Sequence, residues 1–373
     1  MRITGNPDFF AGLPMQTAQA VVKQAVQDFK NWHKSLAAYK KDPSSFLGKP
    51  KMPRYKKHPC TFTITNQDAV IYPDGMKLPG IKTRLEVAGL PEGGILREVK
   101  VIPSYGRYTV SMTFETDDIP QREGHNMAAI DFGVDNIAAI VSTDGSSRIY
   151  KGGAILSENA RFARKKASAV SIITKGHEHM YAGSAHLTRL SERHACFVKD
   201  QLHKISRNVI DFCILHDVDT LVMGENRFWK QNVCIGPANN QKFVQMPISA
   251  LRFMISYKAA LAGIRVVFQE ESYTSKASFI DGDHIPTYGV DDRNAHFSGR
   301  RICRGFYKTA EGLVVNADLN GAANILRKAC PYAWERRSCL SVFSDYSFLT
   351  DPEVYGFHEL NPQSIPAERI KAA

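Results

Sequence analysis

Two apolar runs in this chain end on a carboxylate, and few folds tolerate that arrangement. MAAIDFG delivers Asp131 and TLVMGE delivers Glu225 at the point where each run leaves its apolar surroundings. An acid there is costly, because loss of water disfavours its charged form. A third acid, Asp318, opens ADLNGAANILRKA, a helical run with small residues on one face. Each alone has a plainer reading: a strand-end Asp serves as a turn residue, and Asp318 as a helix N-cap. Taken together, three acids far apart in sequence, each at the edge of an apolar element, can converge at one end of a sheet. Such a cluster repels itself unless cations neutralise it, and hard oxygen ligands select Mg²⁺ or Mn²⁺. Two such ions ~4 Å apart activate water and stabilise the leaving oxygen of a phosphodiester.

The elements around these acids predict an α/β domain. AAIDFGVDNIAAIVSTDGSSRIY reads as two or three adjacent strands, followed by a helical region from about 157 to 216, broken near 182–185. DTLVMGE is a buried strand, ISALRFMISYKAALAG a helix, IRVVFQEES a strand, and ADLNGAANILRKA the start of a helix. Strands alternating with helices indicate that class. Upstream the pattern differs. From Gln16 to Tyr39 apolar residues recur at helical spacing. From Thr61 to Glu115 the runs TFTIT, AVIYP, KTRLEVAG, LREVKVIP and RYTVSMTFET alternate with period two between Pro- and Gly-rich turns, predicting an antiparallel sheet or small barrel. The tail after Pro331 has no clear periodicity.

Charge adds a partner class. Lys and Arg outnumber Asp and Glu by 48 to 37, for a net charge of +11, which favours a polyanion. KKDPSSFLGKPKMPRYKK surrounds Phe46 and Tyr55 with Lys40, Lys41, Lys49, Lys51, Arg54, Lys56 and Lys57. A cationic loop with interleaved aromatics suits a nucleic-acid backbone and exposed bases, and a solvated linker has the same composition. The seven cysteines, an odd number without CxxC pairs, argue against a disulfide framework and a four-cysteine zinc site. No signal segment and no run of transmembrane length is present, so the expectation is a cytoplasmic, nucleoid-associated protein with no membrane partner.

AAIDFGVDNIAAI resembles the first RuvC motif of the TnpB (OrfB) family of bacterial and archaeal insertion sequences, a family related to type V CRISPR effectors. TLVMGENRFWKQ resembles its second motif and NADLNGAANILRK its third. QKFVQMPISALRFMISYKAALAGIRVVFQEESYTSKASFIDGDHIP is similar to the segment leading into the family's zinc ribbon, and LPMQTAQAVVKQAVQDFKNW and GKPKMPRYKK to its recognition helices and connector. The likeness runs from about Leu13 to Ala329. It implies an RNase H-like (RuvC) nuclease domain preceded by a helical segment and a small antiparallel β-barrel. The expected divisions are 1–57 helical and connector, 58–122 barrel, 123–270 nuclease, 271–315 degenerate ribbon, 316–330 third motif and 331–373 tail.

The implied function is RNA-guided, Mg-dependent cleavage of double-stranded DNA, with a guide RNA from the transposon end. Asp131, Glu225 and Asp318 would be the catalytic, metal-binding triad. Lys49, Lys51, Arg54, Tyr55, Lys56, Lys57, Arg161, Arg164, Lys165, Lys204, Arg207, Lys230 and Lys276 would contact nucleic acid. Two departures from the family pattern matter. TSKASFIDGD has no cysteine and GRRICRGFYKTAEG only Cys303, so with His284 and His296 the ribbon falls short of four ligands and no zinc is expected. Its shape would rest instead on packing of Tyr273, Phe279, Phe297 and Phe306. Only about a dozen residues precede Leu13, where relatives carry a further strand and helix, so the barrel would lack a strand. Competing functions are a non-cleaving RNA-guided repressor, a transposon remnant and an unguided nuclease of the same fold. Tyr181 beside His177 and His179 is read as a loop and not as a strand-transfer site.

Overall fold

The structure, a computed structural model, describes residues 14–55, 59–175, 183–225, 245–289, 295–334 and 346–361. It divides into two compact units, Met1–Asp118 and Ile119–Ala373.

In the first unit, helix α1 (Met15–Lys41) matches the predicted helix and buries only Thr17 and Ala18. Thr17 ties it to the strands, its backbone N–H and hydroxyl donating to Asp68 Oδ2 at 3.3 and 3.0 Å. Strands β1 (Phe62–Thr65), β4 (Ile95–Ser104) and β5 (Arg107–Glu115) form an antiparallel sheet in the order β1-β4-β5. β2 (Val70–Tyr72) and β3 (Gly75–Lys77) form a separate hairpin. Among the described residues no barrel closes. The expected strand in KTRLEVAG is reduced to one bridge, Met76 to Leu85. Pro79, Gly80, Gly89, Pro91, Gly93 and Gly94 leave that stretch little room for a ladder.

The second unit is a six-stranded sheet between two helical layers. Its strands are β6 (Asn126–Asp131), β7 (Asn136–Ser142), β8 (Ser147–Lys151), β9 (Val218–Glu225), β10 (Arg265–Glu270) and β14 (Glu353–Tyr355), in the order β10-β9-β6-β7-β8-β14. β6, β7 and β8 run antiparallel through tight turns. β9 and β10 run parallel to β6, so each needs a crossover. Helices α2 (Gly153–Thr174) and α3 (Ala185–Leu215) supply the first, and α4 (Ile248–Leu261) lies in the second. Helix α5 (Ala317–Ala329) follows a small sheet of β11 (Arg300–Cys303), β12 (Phe306–Lys308) and β13 (Val314–Asn316).

Alternation along the strands separates two cores. Ala128, Ile130, Leu221 and Met223 pack with α3 and α4. Ala129, Val141, Ile149 and Val222 face α5, joined by Phe348 and Leu349 from the tail. That tail, without periodicity in sequence, forms α6 (Ser347–Thr350), β14 and α7 (Phe357–Leu360).

Candidate metal centre

The acids meet where β6, β9 and β10 end and α5 begins. Asp131 is the last residue of β6, on the α5 face by alternation from Met127 and Ala129. Its neighbour in β9 is Gly224, since Ile130 pairs with Met223. α5 brings Gly321 against it: a Cβ at 321 would stand 2.7 Å from Asp131 Oδ2. A Cβ at Gly224 would stand 2.6 Å from Glu271 Oε2 and 2.9 Å from Ile325 Cδ1. Two glycines thus clear the space into which two carboxylates turn. Burial lifts Asp131 well above the usual carboxylate range, and the charges of Glu271 and then Asp318 lift it further against Arg301. Burial likewise pushes Glu271 up to about 7, opposed by Arg252.

Asp318 stands at the head of α5 without capping it. That role belongs to Asn316, whose side chain accepts from the N–H groups of Asp318 and Leu319. The carboxylate of Asp318 is therefore left to other partners: Asn136 Nδ2 donates to it at 2.7 Å and Arg301 Nη2 at 3.1 Å. Lys151 Nζ donates in turn to Asn136 Oδ1 at 2.9 Å. Glu225 is the last residue of β9 and is half-buried. Arg252 of α4 donates to Gly224 O at 2.6 Å and feels the charges of Glu271 and Glu225.

As they stand, no three acidic, histidine or cysteine side chains among the described residues are gathered closely enough to hold a metal. Asp318 is drawn instead to Arg301 and Asn136. The donor set nonetheless suits Mg²⁺ or Mn²⁺: its oxygens are hard, they repel one another, and the glycine cradle leaves space. Mg²⁺ needs only one or two protein carboxylates, the remainder being water and substrate phosphate.

The profile of a family described as "Probable transposase" (OrfB_IS605) matches residues 109–229, and that of the "Cas12f1-like, TNB domain" matches residues 249–325. The "TnpB-like protein ORF457" of Acidianus two-tailed virus is 28% identical over 217 residues, 57% of this chain and 43% of that protein. Over these residues the chain is similar to the TnpB (OrfB) family. Two solved structures are similar to this chain in part. One is a cryo-EM structure of a Cas12f1–sgRNA–target DNA complex, at 16% identity and a TM-score of 0.43 over 62% of this chain and 46% of that one. The other is a CRISPR–Cas12f ternary complex, at 18% identity and a TM-score of 0.35 over 62% and 45%. Each of these matches spans less than half the relative's own length.

The remaining predicted positions lie apart from this centre or outside the described residues. Lys49, Lys51, Arg54 and Tyr55 are exposed, whereas Lys56, Lys57 and Lys230 lie outside the described residues, as do His177, His179 and Tyr181. Arg164 and Lys165 are exposed on α2. Arg161 and Lys165, with Arg189 and Arg193 of α3, line a groove of about 650 Å³ floored by Ile173 and Leu190. Arg161 is already paired with Glu158, Lys204 with Asp200, and Arg207 with Asp211. Lys276 lies over the Tyr273 ring. No helix among the described residues is long and apolar enough to cross a membrane.

In the ribbon region only part of the expected aromatic packing forms. Tyr273 and Phe297 stack at 6.1 Å. Phe279 instead joins Trp334 and Phe348 in the α5-side core, and Phe306 is 51% exposed. The residue that sequence reasoning missed is Glu271. Its signal was present, since IRVVFQEE is a third apolar strand ending on acids, like those that end on Asp131 and Glu225.

Proposed function

We propose that this chain is an RNA-guided, Mg²⁺- or Mn²⁺-dependent DNA endonuclease of an insertion sequence, with an RNase H-like (RuvC) nuclease core. The observation that carries the reading is the meeting of Asp131 with Asp318 at the edge where the strands of the sheet end. The sheet supports it. Three antiparallel strands, β6 to β8, with two parallel strands, β9 and β10, on the other side of β6, give the order and directions expected of an RNase H-like core. On this reading, 123–270 and 316–330 make up the nuclease, 58–122 a wedge-like antiparallel β element that stays open, and 271–315 a ribbon-like element that meets target nucleic acid.

Asp131, Glu225 and Asp318 would hold the cation, which when bound supplies charge neutralisation and water activation at a phosphodiester. Asn136 orients the Asp318 carboxylate, and Lys151 fixes the Asn136 amide that does so. Arg301 balances the acidic charge at Asp318 until substrate and cation arrive. The guide would be RNA from the transposon end and the target double-stranded DNA, with pairing supplying sequence specificity. Lys49, Lys51, Arg54, Tyr55 and the α2–α3 cations would hold phosphates and bases, whose contacts are salt-dependent.

The test is to purify the protein co-expressed with its flanking locus, sequence the RNA it retains, and assay cleavage with Mg²⁺ against Asp131→Ala. One dominant structured RNA, with cleavage lost in the variant, is the expected result. Retained RNA without cleavage points to a non-cleaving DNA-binding protein, and no specific RNA overturns the guided reading.

A further inference from the structure

We propose that Glu271 is a fourth carboxylate of this centre and holds the divalent cation jointly with Asp131. The inference rests on the nuclease reading of the site and goes beyond the Asp131, Glu225 and Asp318 set.

Three observations lead to it. The first is the face of the sheet. Val222 and Gly224 of β9 look toward α5, as do Ala129 and Asp131 of β6, whereas Leu221 and Met223 look toward α3 and α4. On β10, paired Glu225 to Glu270, alternation from Val267 puts Glu271 on the side that α5 covers. The strand-end acid beside Asp131 on that side is thus Glu271.

The second is the space made for it. Residue 224 is glycine, and any Cβ there would press on Glu271 Oε2 at 2.6 Å, far inside normal contact. On the other side Gly321 makes the same allowance for Asp131 Oδ2, at 2.7 Å. An alanine in either place would close the gap by pushing a carboxylate away. The chain keeps both positions open, as a pair of oxygen donors sharing a small cation requires.

The third is what the carboxylate lacks. Glu270, one residue earlier, is tied to Lys328 Nζ at 2.7 Å and accepts from the Ser272 N–H. No described residue donates a hydrogen bond to the side chain of Glu271, which is half-buried. Arg252, the cation nearest in kind, spends its Nη2 on the Gly224 carbonyl, and its buried Nε has no partner. A carboxylate without a protein donor that faces a second carboxylate across a glycine-lined gap is suited to a metal ion.

The test is Mn²⁺ binding to the full-length protein, followed by the EPR signal of free Mn²⁺, for wild type, Glu271→Gln, Glu225→Gln and Gly224→Ala. Glu271→Gln is expected to weaken Mn²⁺ affinity by about ten-fold or more, at least as much as loss of a supporting group around a metal does. Its melting temperature without metal should be unchanged or raised, and the increase produced by Mn²⁺ should shrink. Gly224→Ala should lower Mn²⁺ affinity in the same direction with all acids retained. Wild-type affinity in Glu271→Gln, alongside a loss in Glu225→Gln, would overturn the assignment while leaving the nuclease reading intact. A wild-type protein that binds no Mn²⁺ would overturn both.

Discussion

Arg148 on β8 and Asp131 on β6 are charged groups withdrawn from water in the same sheet, and their surroundings differ in kind. Arg148, 5% exposed, has every arm engaged. Its Nε and Nη2 donate to Glu353 Oε2 at 2.7 and 2.5 Å, its Nη1 donates to Asn208 Oδ1 at 2.9 Å, and its guanidinium lies over the rings of Phe212 and Tyr355. The Tyr150 hydroxyl donates to the same Asn208 oxygen. Asp131 has instead two acids, Glu271 and Asp318, as its main charged neighbours. A buried charge satisfied by its surroundings belongs to the architecture, because removing its partners would strand it. A buried charge set against like charges costs stability and persists where function needs it.

The contrast is broken most directly at Asp131. Asp131→Asn should reduce metal-dependent cleavage by about three orders of magnitude, the equivalent of several kcal/mol of lost charge stabilisation. The same substitution relieves repulsion, so in metal-free buffer the variant should melt higher than wild type, by about 1 kcal/mol in stability. Calorimetry with EDTA present checks the sign. If Asp131→Asn melts lower, Asp131 is a structural charge like Arg148. At the other edge the sign reverses. Arg148→Met should cost roughly 2–3 kcal/mol in urea unfolding, through lost ring contacts, the lost hydrogen bond to Asn208 and an unpaired Glu353, with cleavage by the surviving fold unaffected.

How far this contrast was legible in the sequence differs between the two sites. Asp131 and Glu225 stood out because an apolar run that ends on an acid is visible without a structure. So did the helices at 153–174, 185–215 and 248–261, whose periodicity is strong. Glu271 escaped because Glu270 and Glu271 are adjacent, and only the strand order and the placement of α5 say which of them faces Asp131. Asp318 could be read equally as a cap until Asn316 took that role. The Arg148 site was invisible for a different reason. Its partner Glu353 lies in a three-residue strand, too short to carry a period, which pairs in parallel with β8 from far along the chain. The expected barrel strand at KTRLEVAG failed the opposite way: its alternation was real, but turns on both sides left it unpaired beyond Leu85.

Glu353→Gln sharpens the comparison on a smaller scale. The Glu353 side chain is 60% exposed, so its half of the pair is largely solvated and its neutralisation should cost under about 1 kcal/mol. A loss as large as that of Arg148→Met would mean that the ion pair, and not the aromatic and amide contacts, holds this edge.

The smallest effect is expected at Cys213, on the α3 face beside Arg148. Burial pushes its thiol up to about 12, only partly offset by Arg122 and Arg148, so almost none of it is thiolate at pH 8. Exposed Cys60, Cys196 and Cys303 should react promptly with a maleimide, resolved by peptide mapping, while Cys213 stays unlabelled. Labelling at Cys213 then reports opening of the sheet: it should accelerate in Arg148→Met and remain at the wild-type rate in Asp131→Asn. Acceleration in Asp131→Asn would mean that the acid edge also holds the sheet together, and the division between architectural and functional charge would fail.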